Sequence, residues 1–280
     1  MLRSLNSGVS GIQQFQTKLD VIGNNISNSN TIAYKSAHST FADAFSQKLQ
    51  GGAGPGGSLQ VGSGVTTSAI KNDFSRGSYT NTHVETNLYI DGEEGFFILK
   101  DLGGVSFASR AGDFVLQDGY LVNNAGLRVQ GYNDLNLSTY GDVRIDDDII
   151  PPATEPTHDP DAKLISFKIL SDGRVRVKLS DDREYDRGQV LMTRFGDPQM
   201  LEKEGGNLFS NVEAARPLEN PAAPGSNGMG TLVAGALEMS NVDLANEFAS
   251  LITTQRGFQA SARIITTSDE LLQEVVNLKR

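Results

Sequence analysis

SNVDLANEFASLITTQRGFQASARIITTSDELLQEVVNL, residues 240–278, decides the architecture. Leu244, Phe248, Leu251, Gln255, Phe258, Ala262, Ile265, Asp269, Leu272 and Val276 follow one another at alternating steps of four and three. That spacing keeps one stripe of an α-helix facing one partner, as in a heptad seam. Ser240 with Asp243 three positions on resembles a capping box, which sets the expected helix from about Asn241 to Leu278. At ~1.5 Å per residue such a helix is roughly 55 Å long, well beyond the globular average.

The opposite end repeats the pattern. Leu2, Leu5, Val9, Ile12, Phe15, Leu19, Ile22 and Ile26 again step by threes and fours, which predicts a second amphipathic helix. It gives out in GNNISNSNT, residues 23–31, where Asn and Ser side chains compete for backbone groups and favour turns.

Between the ends the signals are β. NLYI at 87–90 and GFFILK at 95–100 read as strands, and FVLQDGYLV places Asp118-Gly119 between two β-prone runs as a hairpin turn. Ile165, Phe167 and Ile169 alternate, turn at Asp172-Gly173, and resume with Val175, Val177 and Leu179. Residues 42–71, with GGAGPGG at 51–57, read as a Gly/Ser-rich linker. DDDIIPPATEPTHDPDAK at 146–163 and RPLENPAAPGSNGMG at 216–230 read as exposed loops or boundaries. The expected fold is α+β, with long terminal helices pairing in a coiled-coil-like inner layer and a mainly antiparallel β body between them. The expected division is a terminal helical assembly domain (1–41 and 235–280), the linker (42–71) and a β-rich body (72–234) with an outer sub-region near 146–200.

The net charge of -10 argues against nucleic acid as a partner, because phosphate-binding surfaces need clustered Lys and Arg. No apolar stretch approaches the roughly 18 residues that a membrane span requires, so no membrane insertion is expected. The opening MLRSLNSGVSGIQQF lacks the basic flank, apolar run and cleavage site of a secretory signal, so any export is expected by another route. With no Cys there is no thiolate chemistry and no disulfide framework.

No catalytic, metal or cofactor motif is expected. His38, His83 and His158 are scattered without metal-ligand spacing. Asp146, Asp147 and Asp148 lack the Gly and terminal Glu of a calcium loop and read as a solvated acidic turn. No glycine run is followed by Gly-Lys-Ser/Thr, and no G-x-S-x-G elbow occurs. The sequons at Asn25 and Asn136 are short enough to arise by chance.

The opening MLRSLNSGVSGIQQFQTKLDVIGNNISNSNT and the closing LEMSNVDLANEFASLITTQRGFQASARIITTSDELLQEVVNLKR resemble the flagellar axial proteins of the rod and hook family. SNVDL, QRGFQ, IITTSDE and VNLKR are most similar to hook members in their short, Gram-positive-like form, with the distal rod as the alternative. GFFILKD, SRAGDFVLQDGYLVNNAGLRVQGY and GGNLF at 205–209 extend the likeness through the middle. One departure is Ala33, where the family pattern commonly carries Gly, which puts a positive-φ turn there in doubt. The resemblance implies a structural subunit exported by the flagellar type III apparatus into an extracellular hook, or into the basal body if rod. It implies a helical homopolymer whose neighbours are the rod, hook cap and hook–filament junction proteins. The expected assembly interface is Leu5, Val9, Ile12, Phe15, Leu19, Ile22, Leu244, Phe248, Leu251, Phe258, Ile265, Leu272 and Val276.

Overall fold

The computed structural model describes residues 2–50, 59–134, 137–145, 163–180, 182–218 and 220–278. The glycine run at 51–57, the sequon at Asn136, the acidic run Asp146–Asp148 and His158 lie outside them. The fold is α+β, and every strand pairing among the described residues is antiparallel. Helix α1 spans Leu2–Ser27 and helix α2 spans Leu244–Leu278. The second helix starts later than Asn241 because Asp243 is itself the cap. Its Oδ1 accepts from the backbone N–H of Ala245 at 2.9 Å and of Asn246 at 3.3 Å, satisfying donors that the first turn leaves open.

The chain divides into two compact units, residues 1–29, 36–73 and 242–280 forming the first and residues 30–35 and 74–241 the second. The first holds both helices and a β arm. Strand Ala37–Asp43 pairs with Val65–Asn72, and Ser46–Gln50 with Leu59–Gly62. The described residues of 42–71 therefore fold largely as strands and not as the expected linker: alternating Val, Thr, Ala and Ile in VTTSAIKN suit a pleated, half-buried surface. The arm lies on α1, where Phe15 meets Phe41 edge-to-face at 6.2 Å and the Gln14 side-chain oxygen accepts from the Thr67 hydroxyl.

The second unit is a β body. Its main sheet runs Leu164–Ile169, Arg174–Leu179, Glu184–Val190, Arg128–Tyr132, Phe96–Lys100, Ser106–Ser109, Leu208–Ser210 and Glu202–Gly205. The strands at 164–190 continue that sheet. Strand Phe96–Lys100 is covered on both faces, which explains its unbroken apolar run. Phe97 and Leu99 enter a core with Leu88, Ile90, Val129 and Val190, while Phe96 and Ile98 enter a second with Phe195 and Phe209.

Asp118 and Gly119 both adopt positive φ, 51° and 78°, joining Val115–Gln117 to Tyr120–Val122 as the dipeptide predicts. In the second hairpin the expected alternation breaks: Ile169 is buried, yet Ile165 is 65% exposed. A register shift between Leu164 and Ser166 supplies the extra residue that turns Ile165 outward. Ala33 keeps the positive-φ turn despite its side chain, at φ 52° and fully buried, and its N–H donates to the Glu238 carbonyl at 2.8 Å.

Candidate assembly surface

Small residues bring the two helices of the first unit together. Along α2 the buried side chains are Glu247, Thr254, Ser261 and Ser268, one every seven residues. On α1 the matching buried positions include Gly8, Gly11, Ile22 and Asn25. The helices run antiparallel: Ser268 lies opposite Ser4, Ser261 opposite Gly8 and Gly11, Gly257 opposite Phe15, and Glu247 opposite Asn25. A Cβ on Gly257 would stand 2.6 Å from the Phe15 ring, and one on Gly11 would stand 3.0 Å from Ser261 Oγ, so both glycines permit the close approach.

The seam's hydroxyls survive burial because they bond backward to their own helix. Thr254 Oγ1 donates to the Ser250 carbonyl and Ser268 Oγ to the Ile264 carbonyl, each at 2.7 Å. At the far end Asn25 donates to Glu247 Oε1 and to the Ala37 carbonyl at 2.9 Å, and accepts from the Ala37 N–H at 3.0 Å. All of its local capacity is spent inside the fold, so the sequon there marks a buried amide. Glu247 sits in the first turn of α2, where the helix dipole favours an anion.

The expected interface residues divide. Ile22 is buried, while Leu5, Ile12, Phe15, Leu19, Leu251, Phe258, Ile265 and Leu272 are half-buried along the flanks of the seam. Val9, Leu244, Phe248 and Val276 face outward. The closest approach of α1 and α2 therefore runs along the Gly, Ser and Thr positions, with Phe15 and Ile265 of the apolar stripe packed beside it. Close packing went to Gly, Ser and Thr because small side chains let the backbones approach. Several large residues outside the expected set are also exposed on α2: Ile252 at 58%, Leu271 at 52%, with Ile264 and Val275 beside them.

A buried ion cluster in the β body escaped the sequence reading. Glu238 accepts from Lys35 Nζ at 2.8 Å and from the Gly77 N–H at 2.9 Å through Oε1, and from Arg110 Nε at 3.1 Å through Oε2. The three side chains are at most 1% exposed. The surplus positive charge is taken up by carbonyls: Arg110 donates to Gly92 and Gly95 at 2.6 Å, and Lys35 to Ser75 at 2.7 Å. Close by, Lys203 donates to the Lys35 carbonyl at 2.7 Å and lies over the Tyr34 ring, and burial pulls its pKa below the ordinary lysine value. The only signal in sequence was that SRAGDF and LEM each belonged to the text carrying the family likeness.

The helix pair of the first unit turns large apolar residues outward, and the β body of the second encloses its own core. Two family models match the ends: the flagella basal body rod protein over residues 5–35 and the flagellar basal body rod FlgEFG protein C-terminal over residues 233–278. The chain is 41% identical to the flagellar basal-body rod protein FlgG of Bacillus subtilis, over all of both chains, and 31% identical to FlgG of Borreliella burgdorferi on the same terms. It is 27% identical to the flagellar hook protein FlgE of Borreliella burgdorferi, again over the whole of both, in an alignment of 450 positions. The chain belongs to the flagellar rod and hook family of axial structural proteins.

Proposed function

We propose that this protein is a rod-type axial subunit that polymerises through its helix pair into the shaft of the flagellar basal body. One observation carries the preference over the hook. The alignment with the Bacillus subtilis rod protein needs 287 positions for a chain of 280 residues, whereas the hook alignment needs 450. A near-gapless match leaves no room for the added material that the hook relative contains. The closing segments QRGFQ and IITTSDE favour the hook as the second reading.

In both readings the β body forms the wall of the tube and the helices its inner layer, facing the path of exported subunits. Neighbours along the axis are the rod, hook cap and hook–filament junction proteins, and delivery is by the flagellar type III apparatus. The half-buried and exposed apolar residues of the helices, Val9, Phe248 and Val276 among them, are then completed by adjacent copies. Electron microscopy of basal bodies from a strain lacking the gene separates the two. The rod reading expects shafts that stop short within the envelope; a complete rod bare of its hook overturns it in favour of the second.

A further inference from the structure

Apart from Val276 and Leu278 in the last turn, the exposed large apolar residues of α2 form two separate strips. Leu244, Phe248 and Ile252 stand at steps of four near its start, while Ile264, Leu271 and Val275 stand near its end. At about 100° per residue the two strips lie on different faces of the helix, roughly 160° apart. The final turns of α2 reach the start of α1: Ser4 lies against Ser268, and Leu271, Val275 and Val276 beyond it are exposed. The buried series 247, 254, 261, 268 continues to Val275, which is half exposed where α1 runs out.

We infer that the strip at the start of α2 receives the strip at the end of α2 from a second copy of this chain, the two helices lying parallel and staggered by roughly 30 Å. The inference rests on the polymer reading above and names the contact within it. The register comes from matching positions. Leu244 meets Ile264 and Ile252 meets Leu271, pairs whose numbers differ by 20 and 19. Charge selects the same arrangement. Arg256 is exposed about 80° to one side of the first strip, and Glu274 is exposed about 75° to the opposite side of the second. When parallel helices face each other, those two sides coincide, and the residue numbers differ by 18, within one turn of the apolar register.

Such a contact uses two different patches, so joining one copy leaves a free strip at each end. A heterologous interface of this kind propagates and does not close as a two-fold dimer does. The parallel arrangement also places Arg256 beside Glu274 at every junction.

The test uses full-length chain, measured by sedimentation and electron microscopy, with circular dichroism to verify helix content. Wild-type protein is expected to form extended polymer. Arg256→Glu and Glu274→Arg each cut the sedimentable fraction at least tenfold, and the chain carrying both reversals recovers to within twofold of wild type. Ile252→Glu and Leu271→Glu are each monomeric, and their mixture gives a discrete heterodimer, since one intact strip of each kind remains. Polymer that is indifferent to all of these substitutions overturns the inference and leaves the polymer reading standing, as does a homodimer from either single strip variant. Reversals that fail to rescue one another overturn the parallel register. Wild-type chain that forms no polymer overturns both readings.

Discussion

The β body and the helix pair are built on opposite choices of what to bury. The body encloses Leu88, Ile90, Phe97, Leu99, Val129 and Val190 almost completely. The helix pair encloses Gly8, Gly11, Thr254, Ser261 and Ser268 and turns Phe248 and Ile252 outward. Burying a Leu or Phe side chain returns about 1.5–3 kcal/mol, whereas a small hydroxyl already bonded to its own helix returns little. The body is thus equipped to hold its fold unaided, and the helix pair keeps its apolar area for other molecules. Stability and assembly occupy different parts of one chain.

The largest effect tests that division outright. Removing residues 242–280 is expected to abolish polymer while the body still unfolds cooperatively, as read by sedimentation and urea titration; a truncated chain that still forms filaments breaks the contrast. Next comes Glu238→Ala, which strands Lys35 and Arg110 as buried cations. Loss of one partner from a buried ionic cluster costs about 3–5 kcal/mol, visible as a lower urea midpoint for the body.

Gly257→Leu acts on the other unit. Its side chain meets the Phe15 ring where even a Cβ stands at 2.6 Å, and overpacking of this kind costs about 1–3 kcal/mol. Hydrogen exchange is expected to quicken in α1 and α2 and stay unchanged in the strands of the β body. The smallest effect is Ala33→Gly. A non-glycine residue at φ 52° carries strain of about 1 kcal/mol, partly offset by the greater freedom of unfolded Gly. The expected outcome is a rise of a few tenths of a kcal/mol in the stability of the body, measured by denaturant titration.

Much of the architecture was legible in the sequence because it depends on local periodicity. Leu2–Ser27 and Leu244–Leu278 follow the steps of three and four, and Asp118-Gly119 turns where its backbone preference says. The small-residue seam between α1 and α2 was not legible because periodicity weights large apolar residues. Leu251, Phe258, Ile265 and Leu272 lie one row from that seam, while Ser and Thr at seven-residue spacing carry no apolar signal. The β arm was hidden by the glycines between its strands. The Lys35–Arg110–Glu238 cluster could not be read locally at all, since Glu238 is 203 residues from Lys35 and 128 from Arg110.

Asn25 has a consequence beyond satisfying its own amide. A contact that repeats every seven residues is like a ruler with identical marks: Thr254, Ser261 and Ser268 are nearly interchangeable, and a slip of one heptad would juxtapose small side chains just as well. The pair Asn25–Glu247, tied on its other side to Ala37, is the index pin that singles out one alignment. A small polar seam makes the helices easy to bring together, and a single amide at its end fixes where they stop sliding.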